Sequence, residues 1–130
     1  MLLDTSGLLC VLHRDEAQHT QAALLFRSTR AKLIHNYVLA EFVALCTARR
    51  IQRNIALAFA QAMLDSDDIQ VMWVGEELHR AAAVYLASRL DKSYSLCDAV
   101  SFLLMQQRGL TDALTTDRHF DQAGFRRLLS

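Results

Sequence analysis

The chain has 130 residues, 52% of them hydrophobic, and its 14 basic and 14 acidic side chains cancel to a net charge of zero. That length suits one domain burying roughly two-thirds of its unfolded surface, and the neutral sum excludes a polycation that coats nucleic acid through bulk charge. No run of about 18 apolar residues is free of charge, so no membrane span is expected, and Met1-Leu2-Leu3-Asp4 lacks the basic start of a signal peptide.

Residues 1–3 read as a short apolar strand stopped by Asp4-Thr5-Ser6-Gly7, where Thr5 or Ser6 caps a helix over 8–13. A second helix is expected over 17–29, a strand over 32–35, and an apolar helix capped by Asn36 that runs to about Arg50. Asn54 is expected to cap a helix over 55–64. Beyond the polar break at Asp65-Ser66-Asp67-Asp68, the nearly continuous apolar run 69–74 has the pattern of a strand covered on both faces. Amphipathic helices follow over 76–90 and 95–107, the second stopped by Gly109. Residues 113–116 form a short strand ending at Asp117, and 127–129 a final edge strand. Strands interleaved with helices predict an α/β fold, a three-layer α/β/α sandwich with a mainly parallel central sheet, in a single domain spanning 1–130. Cys10, Cys46 and Cys97 lie far apart in apolar contexts, with neither zinc nor disulfide spacing, so a reducing cytoplasm and buried thiols are expected.

Four acids stand where acids do not belong. Asp4 ends an apolar strand, Asp117 ends another, and Asp98 opens an apolar helix. Glu41 has Tyr37, Val38, Ala44 and Leu45 as its helical neighbours, which makes it a charge on an apolar face. A buried, unpaired carboxylate costs several kcal/mol, and there are too few nearby cations in sequence to pair all four. A shared divalent ion satisfies them together, and oxygen donors suit Mg²⁺ or Mn²⁺ rather than zinc. Each acid also has a plainer reading. Asp98 completes a capping box with Ser95, Asp4 caps the first helix, Asp117 opens a turn with Arg118, and Glu41 pairs with Arg49 or Arg50.

Leu2-Leu3-Asp4-Thr5-Ser6-Gly7, Glu41 within Val38-Leu39-Ala40-Glu41-Phe42, Ser95-Leu96-Cys97-Asp98-Ala99 and Leu114-Thr115-Thr116-Asp117-Arg118-His119-Phe120 form an ordered set along essentially the whole chain. This set resembles a PIN domain and, within that family, the VapC-like toxins of bacterial toxin–antitoxin pairs. The resemblance implies a Mg²⁺- or Mn²⁺-dependent endoribonuclease that cleaves RNA phosphodiester bonds with metal-activated water. Asp4, Glu41, Asp98 and Asp117 would be its catalytic and metal-binding acids, Thr5, Ser6, Thr115 and Thr116 hydroxyl residues lining the substrate site, and Asp121 an auxiliary acid. It also implies a small antitoxin partner and a homodimer, with a PIN nuclease lacking an antitoxin, or a non-catalytic RNA-binding subunit, as the alternatives. His119 reads as a helix-start residue packing beside Phe120.

Six cations against the single acid Glu41 between Arg27 and Arg53 form a candidate phosphate-binding surface that includes Arg49 and Arg50, or else solvated helix ends. Leu39, Val43, Ile55, Leu57, Phe59 and Met63 exceed what one core face needs and are candidates for a protein interface. A phosphotransferase built on Asp4 is disfavoured because Ser6 occupies the position of its second acid, and no Gly-x-Gly-x-x-Gly follows the first strand to bind a dinucleotide.

Overall fold

Side chains alternate across a strand, so two adjacent leucines near the start of the chain commit to opposite faces of a sheet. In the computed structural model, which describes residues 1–130, Leu2 and Leu3 are both fully buried in β1 (Leu2–Leu3), one in each of two separate cores. From β1 the chain forms α1 (Thr5–Leu12), α2 (His19–Ser28), β2 (Lys32–His35), α3 (Asn36–Ala48), α4 (Arg53–Asp65) and β3 (Ile69–Met72). It continues through α5 (Glu76–Ala87), α6 (Leu96–Arg108), β4 (Asp112–Leu114), α7 (His119–Gln122) and β5 (Arg126–Arg127). All neighbouring strands are parallel, in the order β3-β2-β1-β4-β5.

One core joins Leu3, Ile34 and Leu114 to Leu8, Phe42 and Met63 from helices α1, α3 and α4. The other joins Leu2, Leu33 and Ala113 to Ala82, Phe102 and Phe120 from α5, α6 and α7. The sheet therefore lies between two helical layers, the expected α/β/α sandwich.

Local differences from the sequence reading have physical causes. The cap of α3 is His35 rather than Asn36: its Nδ1 accepts the Val38 N–H at 3.4 Å. Since Nδ1 is the acceptor, the ring proton sits on Nε2 and is donated to Ser101 Oγ at 2.8 Å. Burial keeps this imidazole neutral by pushing its pKa down to about 4. Asn36 is released from capping, and its side-chain oxygen accepts the Val74 N–H at 2.7 Å. Likewise α4 starts at Arg53, with Gln52 in the cap position instead of Asn54. β3 is an edge strand that still contributes to both cores, Ile69 and Val71 to one and Met72 to the other, while Gln70 is exposed and Trp73 lies past the strand end.

Gly7 sets the distance between α1 and the sheet. A Cβ there would lie 1.9 Å from the Leu114 carbonyl oxygen, a backbone atom that cannot swing aside. Gly7→Ala is accordingly expected to cost about 3 kcal/mol or more, the upper end of overpacking costs, read as a lowered urea midpoint.

Candidate active site

The order of the strands decides where a site can form. The chain moves outward from β1 to β2 and β3, then returns to the other side of β1 as β4. This reversal makes β1 and β4 a topological switch point, where open parallel sheets leave a crevice at the carboxyl ends of the strands. Asp4 follows β1 directly, and Asp117 lies just beyond β4. α6 brings its amino-terminal turn, with Asp98, to the same place.

Asp4 is buried and held by hydroxyls. Thr115 donates to its Oδ2 at 2.7 Å, and Ser6 lies 3.4 Å from the same oxygen and 3.0 Å from Thr115 Oγ1. Ser6 Oγ also accepts the Thr116 N–H, and Thr115 Oγ1 accepts the Asp117 N–H, both at 3.0 Å. The end of β1 and the end of β4 are thus tied by one hydroxyl network. Asp98 does form the capping box with Ser95, yet its Oδ2 also takes a 2.9 Å hydrogen bond from His119 Nδ1. Capping and the cluster are compatible because one carboxylate has several acceptor positions. Asp117 accepts the His119 N–H at 2.9 Å, and its Oδ1 lies 3.4 Å from His119 Nδ1.

Asp98, Asp117 and His119 each offer a ligand atom within 4.8 Å of the others. His119 was the residue that sequence reasoning undervalued. The signal was available in its position two residues after Asp117, where an Asx-type turn directs the ring back toward the acids. Its Nε2 is in turn bonded to Ser93 at 3.0 Å, so the imidazole is gripped at both nitrogens.

Glu41 corrects an expectation. It is exposed, because the buried stripe of α3 runs through Val38, Phe42 and Cys46 and leaves Glu41 on the flank. Its charge still acts on Asp4 and on Cys97, raising the pKa of both. Thr5 is also displaced from its expected role: it is 2% exposed, and its hydroxyl has no hydrogen-bond partner. Thr116 contributes its backbone, the N–H to Ser6 and the carbonyl to Arg127. Asp121 is occupied by Arg127 at 2.8 Å. Arg49 is ion-paired with Glu16 and Arg50 is exposed, both about 12 Å along α3 from Glu41. Neither adjoins the three aspartates.

The electrostatics are those of a site waiting for positive charge. None of Asp4, Glu41, Asp98 and Asp117 is paired with Lys or Arg. Burial, reinforced by Asp98 and Glu41, pushes the Asp4 pKa up to about 7 against the opposing Thr115 hydrogen bond. Asp98 is raised by burial and by Asp117, with His119 and the Ser95 amide working against them. Hard carboxylate oxygens lacking a cationic partner fit a divalent ion such as Mg²⁺ or Mn²⁺. A cavity of about 390 Å³ lies elsewhere, lined by Met1, Lys32, Asp67 and Arg108, and none of the four acids reaches it.

Comparison with known proteins places this arrangement in context. Residues 1–126 match the PIN domain. The 23S rRNA-specific endonuclease VapC20 of Mycobacterium tuberculosis, in two strains, is 31% identical over 126 residues, covering 96% of this chain and 95% of the relative. The crystal structure of M. tuberculosis VapC20, described as a sarcin–ricin loop cleaving toxin, superposes with a TM-score of 0.90 at 28% identity, over 99% of this chain and 98% of the other.

The raised Asp4 pKa carries a sign. An acid that binds its proton more tightly when folded makes stability fall as pH rises from its unfolded value near 3.8 to about 7. In chelator, Asp4→Asn is expected to remove this loss and to stabilise the protein at pH 8 by a few kcal/mol. At pH 4 it should have little effect; paired urea melts of the two proteins at both pH values measure the difference.

Proposed function

The chain belongs to the PIN-domain family, and on that premise we propose that it is a metal-dependent endoribonuclease, one nuclease domain over 1–130, acting as the toxin of a toxin–antitoxin pair in the cytoplasm. The observation that carries this reading is the pair Asp98 and Asp117, with ligand oxygens within 4.8 Å of each other, beside Asp4, without Lys or Arg, at the carboxyl ends of β1 and β4. Thr115 ties Asp4 to the Asp117 turn, and Asp4 feels the charge of Asp98. The likeness to a 23S rRNA-specific endonuclease along nearly the whole chain supports 23S rRNA, at its sarcin–ricin loop, as the substrate.

Asp4, Asp98 and Asp117 would hold the ion, with Glu41 at the rim. When bound, Mg²⁺ or Mn²⁺ supplies charge stabilisation at the phosphoryl oxygens and lowers the pKa of water. The chain's own residues do the positioning. Thr115 and Ser6 fix the Asp4 carboxylate, and through the Thr116 and Asp117 amides they fix the turn that carries Asp117. His119 orients Asp98 and opposes its protonation, while Ser93 sets the ring. Glu41, exposed and unpaired, orients the attacking water and passes its proton to solvent. Hydrolysis of this kind expels the 3′-oxygen and leaves a 5′-phosphate.

A metal-free ribonuclease would instead use two histidines on the 2′-hydroxyl. The five histidines lack such a pair: His13 faces Asp15 and Glu16, His19 bonds the Cys10 carbonyl, His35 is buried against Ser101, His79 bonds Tyr37, and His119 serves Asp98. Of the residues considered for an interface, Leu39 and Met63 are buried, and Val43 and Phe59 pack against the core. Ile55 and Leu57 remain 43% and 47% exposed, and we assign them to the antitoxin or the homodimer contact.

Purified protein with Mg²⁺ or Mn²⁺ is expected to cut 23S rRNA in intact ribosomes at the sarcin–ricin loop, mapped by primer extension. EDTA should abolish cleavage, and Asp98→Asn should lower kcat by at least about a hundredfold with the fold retained. Products carrying 2′,3′-cyclic phosphate, or undiminished cleavage in EDTA, would exclude the metal mechanism.

A further inference from the structure

Trp73 is the only tryptophan of the chain, and it is 68% exposed. A side chain of that size left in solvent contributes little to folding and is free to meet a ligand. Its place in the sheet indicates which. Leu2 is level with Leu33, and Leu33 with Gln70, so the position level with Asp4 on β3 is Met72. Trp73 therefore lies one residue past the Asp4 level, at the same carboxyl edge of the sheet, and two strands away. At the usual strand spacing that is about 10 Å between the two backbones, close to the rise of three stacked nucleotides. Alternation turns Trp73 to the sheet face covered by α3, the helix that carries Glu41.

The residue is also held in place. The Val74 N–H donates to the Asn36 side chain at 2.7 Å, a bond available because His35 has taken over the capping of α3. The next residue of α3, Tyr37, hydrogen-bonds His79 of α5. The segment bearing Trp73 is thus tied to α3, which is itself bonded to α5, while its indole stays open. A rigid aromatic face loses little conformational freedom on binding, and nucleobases stack on such faces with little dependence on sequence.

We propose that Trp73 is a stacking platform for an unpaired nucleobase of the RNA, a few nucleotides from the bond cleaved in the aspartate crevice. The inference rests on the endoribonuclease reading. It concerns substrate binding, and the residue takes no part in bond cleavage. The occupant is a single-stranded RNA base, in preference to a protein, because the platform shares the sheet edge that carries the acids.

Because Trp73 is the sole tryptophan, its emission reports directly on its surroundings. The wild-type protein in EDTA is titrated with a single-stranded RNA of about twelve nucleotides and, separately, with an abasic ribose-phosphate chain of equal length, with saturation verified by filter binding. RNA is expected to quench and shift the emission, and the abasic chain is not. In cleavage assays Trp73→Ala and Trp73→Leu are each expected to raise KM about tenfold with kcat little changed, whereas Trp73→Phe recovers most of the affinity. Unchanged emission at RNA saturation, or equal KM values for Trp73→Leu and the wild type, overturns the platform while leaving the nuclease reading intact. Emission that depends on protein concentration in the absence of RNA assigns the surface to a second copy of the chain and likewise overturns it. Failure of the wild type to cleave any RNA with Mg²⁺ or Mn²⁺ defeats the nuclease reading instead, and the titration remains a separate measurement of base binding.

Discussion

The site is arranged around carboxylates that are held together without a lysine or arginine side chain. Asp4 and Asp98 are buried, Asp117 lies within reach of Asp98, and the charge of Asp98 raises the cost of ionising Asp4 as that of Asp117 does for Asp98. Such a cluster is unfavourable in the metal-free protein, and folding has to supply what holds it. The supply comes from hydrogen-bond donors: the Thr115 and Ser6 hydroxyls, the Ser95 amide and the His119 ring. These groups orient the carboxylates, and none of them is a lysine or an arginine. A lysine in the same place would stabilise the fold better and leave less reason to bind an ion.

The sheet serves this arrangement directly. Because β1 pairs with both β2 and β4, the short segments after β1 and β4 emerge side by side, and a hydroxyl on one reaches a carboxylate on the other. Gly7 permits it, since α1 must approach the Leu114 carbonyl closely for Ser6 to reach Thr115 and the Thr116 amide. Two leucines on opposite faces of a two-residue strand anchor that junction in both cores. A short strand suffices because its neighbours on both sides are also buried.

Much of this was legible in the sequence, for reasons that differ by residue. The strand at Lys32–His35 and the stop at Gly109, which adopts a left-handed φ of 65°, follow from local pattern and local chemistry. Asp4, Asp98 and Asp117 stood out because an acid adjoining apolar residues needs a compensating partner wherever the chain goes. Glu41 was misread on the same logic. Helical spacing gives a residue's neighbours but not the width of the buried face, and Glu41 falls just outside that width. The cap of α3 was hidden more deeply, since His35 can cap only where Ser101 of α6 receives its other nitrogen. His119 was undervalued for a similar reason: its value depends on Asp98, 21 residues away in sequence.

The zero net charge resolves into unequal parts. Residues 1–60 carry seven cations and four anions, and residues 61–130 carry seven and ten. Of the four anions in the first half, Asp4 and Glu41 belong to the crevice, Glu16 is held by Arg49, and Asp15 lies beside His13. Arg27, Arg30, Arg50 and Arg53 therefore have no carboxylate partner. Free guanidinium groups attract a phosphate backbone at long range, whereas crevice carboxylates repel it until a divalent ion offsets them. On the proposed nuclease reading, an ion that prepared the site for chemistry would also lower the local barrier to RNA. Metal loading would then favour RNA binding through charge.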